Sequence, residues 1–274
     1  MAQQAGQLSP DGKWLWNGTE WIPHAPVALA PVAPTWARPY ESAHFRATFV
    51  TVLLLANVAA LLIGIFFDAV LFASGADTSA LSDTQSVAIG LLALTYLITF
   101  YGTFIPSIVL FCMWLHRVVR NMPALGSWDA RWSPAGAVGR CFIPFLNLVH
   151  PMSGTLEAWR SSDPTQRWVN VMSRKRMSPP ALIVGWWAAW LIGGLLSRVS
   201  FQLGRSNDPA QVATSALVDL ASAVLLIAAA VLAVLVVRDV TARQDRKNAL
   251  IAAGQFPSAP AVVPAGEGTG VGRA

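Results

Sequence analysis

The chain has 274 residues, of which 54% are hydrophobic and only 12% charged, with a mean hydropathy of +0.50. Soluble domains carry about 25% charged residues, so this composition excludes an ordinary water-soluble domain and puts the bilayer first. Lys and Arg number 19 against 14 Asp and Glu. In so apolar a chain, without a basic patch of interleaved aromatics, that excess marks cytoplasmic loops and no nucleic acid is expected as a partner.

The first element is the stretch DGKWLWNGTEWIP. Asn-Gly between alternating residues is a strong short-range signal for a β-hairpin. A two-residue turn at Asn17-Gly18 sets Trp14 opposite Trp21 and places Trp14, Trp16 and Trp21 on one face. That aromatic face is the candidate surface for a protein partner. The module covers 1–24, and a Pro-rich linker covers 25–44. A basic start followed by an apolar run is missing from this region, so no cleaved secretory signal is expected.

The membrane domain spans 45–244. A crossing helix needs roughly 20 mostly apolar residues, and four stretches qualify, at about 46–72, 86–115, 181–203 and 215–237. The loop from Ala73 to Gln85 carries no Lys or Arg, whereas the segment between the second and third stretches carries nine of them, from Arg117 to Arg176. This asymmetry predicts a multi-pass protein of a cytoplasmic membrane with both termini cytoplasmic. The few lysines, with abundant Arg and Ala, point to a bacterial chain of high-GC coding. A fifth crossing at residues 135–149 is the rival topology. That stretch is short and broken by Arg140, Pro144 and Pro151, which favours an interfacial or re-entrant segment. The last region, 245–274, reads as a helix end closed near Gly254 and then a disordered tail.

Polar residues inside lipid each require an account. Asn57 stands in the first crossing. Thr95, Thr99, Thr103 and Ser107 recur at every fourth residue of the second, making one stripe that serves either helix contacts or a solute path. Gly185, Ala189, Gly193 and Ser197 form a small-residue face on the third, suited to the fourth helix or to a second copy in a homo-oligomer. Asp68, Arg198 and Asp219 fall at similar depth near the outer ends, and Arg198 is expected to pair with one carboxylate or both.

The middle segment, 116–165, is the richest. Arg117, Arg120 and Arg140 are candidates for gripping lipid headgroups. Trp114, Trp128, Trp132 and Trp159 suit the interface. Ser133-Pro134 and Pro151 mark starts of short helices. His116, His150, Glu157 and Asp163 would be needed for chemistry, yet no catalytic or metal-binding spacing accompanies them. No metal and no cofactor is expected. Cys112 and Cys141 form no ligand pair and read as small apolar fillers.

WLHRVVRNMPALG, then SPAGAVGRCFIPFLNLVHPM, then EAWR resemble the bacterial membrane proteins grouped as domain of unknown function 4328. The likeness runs from about Phe45 to Gln244, and Arg140-Cys141 stands where bulkier aromatic residues are expected. The opening stretch is similar to short Trp-rich modules that precede membrane domains in actinobacterial proteins. The resemblance implies a polytopic membrane protein and supplies no activity. The fold expected is thus an all-α integral membrane bundle of four helices, with an interfacial segment between helices 2 and 3 and a small N-terminal hairpin. The leading functional expectation is a non-enzymatic adaptor that recruits a partner through the hairpin and holds membrane lipids. A small transporter or channel using the stripe is the alternative, and a lipid-acting enzyme built on His116 or His150 the third.

Overall fold

The computed structural model describes residues 9, 14–16, 18–23, 33–73, 82–206 and 208–256. Asn17, His24, the Pro-rich linker up to residue 32, most of the loop between the first two long stretches and the tail from 257 lie outside the described residues. Two compact units are present, one made of Met1–Ala33 with Ala259–Ala274 and one of Pro34–Ser258.

In the first unit, strands β1 (Trp14–Trp16) and β2 (Trp21–Pro23) pair antiparallel. The register sets Trp16 opposite Trp21 and Trp14 opposite Pro23, not Trp14 opposite Trp21 as the two-residue turn requires. Four residues therefore separate the strands, with Gly18 at φ 100. The slip of two residues preserves the face of every side chain. It also stacks the Trp16 and Trp21 rings directly, at 5.5 Å between centroids, a geometry worth ~0.5–1.5 kcal/mol.

The second unit is helical. Helices α1 (His44–Ala73), α2 (Asp83–Arg120), α6 (Ala181–Leu203) and α7 (Pro209–Ala252) are the four that are long and apolar enough to cross a membrane. Their starts follow from local chemistry. Ser82 caps α2 through the Gln85 N–H, while the Gln85 side chain accepts from the Ser82 N–H, a reciprocal capping box. Asp208 caps α7 ahead of Pro209, where a missing N–H is harmless. Helix α7 has 44 residues, about 66 Å at 1.5 Å per residue, roughly twice a hydrocarbon core. From Arg238 on it carries Asp239, Arg243, Asp245, Arg246 and Lys247, so this last part projects beyond the apolar zone. Gly254, at φ 67, ends it.

Helix α1 packs between α2 and α7, and α7 packs on α6, so α2 and α6 are the two ends of an arc. The segment joining them is built of short pieces. It forms α3 (Pro134–Gly139), two three-residue turns, α4 (His150–Ser161) and α5 (Val171–Arg176), none of them long enough to cross. Ser133 caps α3 and Pro151 sits in the first turn of α4, as their positions predict. Phe145 turns the chain at φ 65 and is 84% exposed beside exposed Phe142, Ile143 and Val149. An apolar loop of this kind suits an interfacial dip. Because α4 touches both α2 and α6, the segment closes the arc at its Arg-rich end.

Candidate functional site

The Arg-rich end is tied by a knot of buried polar side chains. Trp114 and Gln244 are fully buried. Trp114 Nε1 donates to Thr241 Oγ1 at 3.0 Å, and Gln244 Nε2 donates to the Val118 carbonyl at 2.9 Å. Asn121 Nδ2 donates to Gln244 Oε1 at 3.1 Å and to the Glu41 carbonyl at 2.8 Å. Asn121 Oδ1 accepts the Glu41 N–H at 3.3 Å, so the amide uses both ends. Arg117 and Arg120 both reach the Glu41 carboxylate. Two of the three arginines expected at lipid headgroups are thus committed within the chain. Tyr40 donates to Asp245 Oδ1 at 2.7 Å. Burial, and then that carboxylate, hold its phenol well above the usual range.

Other residues order the middle segment. Arg174 is buried and bonds Asp129 Oδ1, the Asp129 carbonyl and the Val169 carbonyl, each at 2.9 Å. Glu157 lies 3.7 Å from it and accepts the Arg131 N–H. Gly126 has φ 92, and a Cβ there would meet the Arg167 carbonyl at 2.2 Å, so only glycine suits the turn. Arg140 stacks over the Trp132 ring at 3.4 Å, and His150 meets the edge of the same ring. Burial and Arg140 lower the His150 pKa, which keeps the imidazole neutral. The groups that act on His150 are Arg140, Arg131 and a backbone carbonyl, and those beside His116 are Arg46 and Arg120. Among the described residues no carboxylate is placed to orient either histidine for acid–base work.

Within the apolar part, the stripe on α2 is turned inward on its own helix. Thr95 donates to the Leu91 carbonyl at 2.8 Å, Thr103 to Thr99 at 2.8 Å and Ser107 to Thr103 at 2.7 Å. Asn57 Nδ2 donates to Thr103 Oγ1 at 3.1 Å, linking α1 to α2. The small-residue face of α6 is filled by α7. A Cβ on Gly193 would meet Leu226 at 3.0 Å, and Ser222 donates to the Gly193 carbonyl at 2.9 Å.

The expected ion pair at the other end does not form. Among the described residues no ion pair includes Arg198, Asp68 or Asp219. The reason is azimuth. Gly193 and Ser200 are the buried positions of α6 on either side of Arg198, and at 100° per residue Arg198 stands about 140° round from Gly193, exposed.

Between the four long helices lies a cavity of about 310 Å³. Its walls are Leu54 and Asn57 of α1, Phe104, Ser107 and Phe111 of α2, Trp186 and Trp190 of α6, and Leu226, Ala230 and Ala233 of α7. Cys141, Phe142, Asn147 and Pro151 of the middle segment form its floor, and Cys112 joins Cys141 in the wall. Trp187 Nε1 fastens this floor by donating to the Leu148 carbonyl at 2.7 Å. Trp186 meets Phe111 at 5.6 Å across the gap between α6 and α2. Small-molecule sites span roughly 300–1,000 Å³ and are mostly apolar with a few polar groups, and this cavity meets that description. Its alanines on α7 leave the space, and hydropathy alone does not reveal them.

Among the described residues no three His, Cys, Asp or Glu side chains gather as a metal site. No curated protein and no solved structure matches the chain. The family model that does match begins at residue 71, inside α1, rather than at Phe45, and it takes in Trp114, Asn121, Thr241 and most of the cavity wall. With residues 71–242 matching it, the chain belongs to the family described as a domain of unknown function, DUF4328.

Proposed function

We propose that this is a multi-pass protein of the bacterial cytoplasmic membrane, with both termini cytoplasmic, whose helical domain seats the acyl chain of a membrane lipid. The observation that carries the reading is the apolar, aromatic-walled cavity between α2 and α6. An apolar space of this size stays dry and takes apolar guests. Within four crossing helices the available guest is lipid. The excess of Arg and Lys in the middle segment supports the orientation. Three of the four hydroxyls of the stripe, those of Thr95, Thr103 and Ser107, donate to their own helix, which leaves little for a solute path.

The test uses the full chain in bilayers containing a phospholipid with a photoreactive group on its acyl chain. Wild type is expected to carry label on Phe104, Trp186 and Trp190, located by peptide mass spectrometry. Ala230→Phe, which fills the cavity, should lose that label at an unchanged melting temperature. Equal labelling of outward residues such as Leu55, Phe66 and Ile105, unaffected by the variant, overturns the reading.

An adaptor role for the Trp-rich module rests on Trp14, which stays 43% exposed while Trp16 and Trp21 pack on each other. Crosslinking in cells with wild type and Trp14→Ala tests it. A protein captured only by wild type supports recruitment, and identical captures reject it.

A further inference from the structure

A second cluster lies away from the cavity, where the end of α4 meets the projecting part of α7. Lys247 is fully buried and donates to the Ser161 carbonyl at 2.9 Å. The charges that act on it are Asp163, Arg167 and Arg243. Arg167 lies over Trp168 at 3.9 Å and Arg243 over Trp159 at 4.1 Å. Arg160 stands between Trp159 and Ser161 in the last turn of α4.

The donors of this cluster exceed its acceptors. Arg160 Nε, Arg167 Nη1 and Arg243 Nε are buried atoms without a hydrogen-bond partner, as is the Ser161 hydroxyl. Among the described residues no ion pair within 4.0 Å includes Arg167, Arg243 or Lys247. The two nearby carboxylates are occupied by neutral donors. Asp163 takes Thr165 N, Thr165 Oγ1 and Gln166 Nε2, and Asp239 takes Trp159 Nε1 at 2.7 Å. Lys247, buried with a single carbonyl acceptor, and the Arg167 and Arg243 guanidinium groups, with one orphaned nitrogen each, face two carboxylates already in use, and buried donors without partners are unfavourable. An anion with several acceptor oxygens suits them.

We infer that Arg167, Arg243 and Lys247 form a binding site for a phosphate group. Guanidinium groups held in place by stacking suit phosphate oxygens. Position supports this class of ligand. Arg243 lies six residues past Val237, about 9 Å along the helix, where headgroups border the solvent. The phosphate belongs either to a lipid headgroup or to a soluble phosphate. The site is separate from the acyl-chain cavity, so each can fail alone.

The experiment compares wild type with the double variant Arg167→Gln/Arg243→Gln, using full-length protein. Exposed Arg131, at the same end but outside the cluster, supplies the control Arg131→Gln. In one arm the proteins sit in phosphatidylcholine nanodiscs doped with phosphatidic acid, and retained lipid is counted by native mass spectrometry. In the other, inorganic phosphate is added in detergent at constant ionic strength, and the melting temperature is read. Wild type and Arg131→Gln should retain phosphatidic acid about tenfold better than the double variant, as expected when charge-assisted hydrogen bonds are lost. That result assigns a lipid headgroup. Stabilisation by inorganic phosphate alone, again lost in the double variant, assigns a soluble phosphate. If the double variant folds poorly, Lys247→Met with the same two arms gives the decision. Retention and melting that do not distinguish wild type from either variant overturn the site.

Discussion

The apolar half of the bundle and its Arg-rich end handle polar atoms in opposite ways. In the apolar half, each hydroxyl of the α2 stripe that makes a bond returns it to its own helix, and the bonds that cross join adjacent helices only: Asn57 to Thr103, Ser222 to the Gly193 carbonyl and Ser200 to the Ser215 carbonyl. At the Arg-rich end, side chains distant in sequence bond one another. Asn121 meets Glu41 and Gln244, Trp114 meets Thr241, and Lys247 meets Ser161. The first arrangement ties helices only in adjacent pairs and leaves room between α2 and α6 for a cavity. The second fixes which helices are neighbours. Orientation of the bundle is therefore a property of its end.

The contrast is sharpest in Asn121→Ala. Three hydrogen bonds vanish, and Gln244 Oε1 and the Glu41 N–H lose their partner. Buried groups left unsatisfied cost about 1–3 kcal/mol each, so a loss of roughly 2–5 kcal/mol is expected. Chemical or thermal unfolding in detergent measures it. Asn121→Asp should recover part of the loss, since its carboxylate can still accept the Glu41 N–H. A drop below 1 kcal/mol for Asn121→Ala would show that the knot is ornamental and that packing orders the helices.

Lys247 gives the next effect and a pH dependence. Burial holds its pKa down at about 8, from 10.5. Below about pH 8 the folded and unfolded chains both carry the proton, and the folded chain bears the full penalty of the buried cation. Between about 8 and 10.5 the folded chain releases its proton first. The unfolded chain then binds more protons, and stability rises with pH. In neutral lipid, wild type should gain up to about 3 kcal/mol over this window relative to Lys247→Met, which has nothing to titrate. Melting temperatures at pH 7, 8.5 and 10 check the sign. Parallel curves for the two proteins would mean that the ammonium is better compensated than its surroundings indicate.

These two residues also mark the limit of what the sequence discloses. Hydropathy locates the four crossings, and α6 agrees to the residue because Pro180 and Gly204 bound it. It underestimates α2 and α7, since it measures fit to lipid while the helices continue as charged extensions. Ser133-Pro134 and Pro151 disclose the short helices through their caps. Pairing across the chain is a different matter. Glu41 lies before α1 in a stretch that reads as linker, and nothing local shows that it meets Arg117 and Arg120. Thr241, Gln244 and Lys247 recur every third residue on α7, a spacing that equally describes a solvated face. The outer charges failed for the same reason: Arg198, Asp68 and Asp219 share a depth, but depth carries no azimuth. The cavity escapes because it is made by alanines, whose absence of bulk looks like ordinary helix.

The smallest effect belongs to Thr95→Val, and it completes the contrast. The Thr95 hydroxyl donates to the Leu91 carbonyl, which belongs to the same helix, and the side chain is exposed on the apolar surface. Valine keeps the shape and removes a hydroxyl whose loss orphans no buried partner. Polar contacts between membrane helices average only ~0.6 kcal/mol, and here not even such a contact is broken. The expected change is within about 0.5 kcal/mol. A loss above 2 kcal/mol in the bilayer, absent in detergent, would place a partner against Thr95: another copy of the chain or a solute. The apolar half would then have specific contacts of its own, and the division of labour between the two halves would fall.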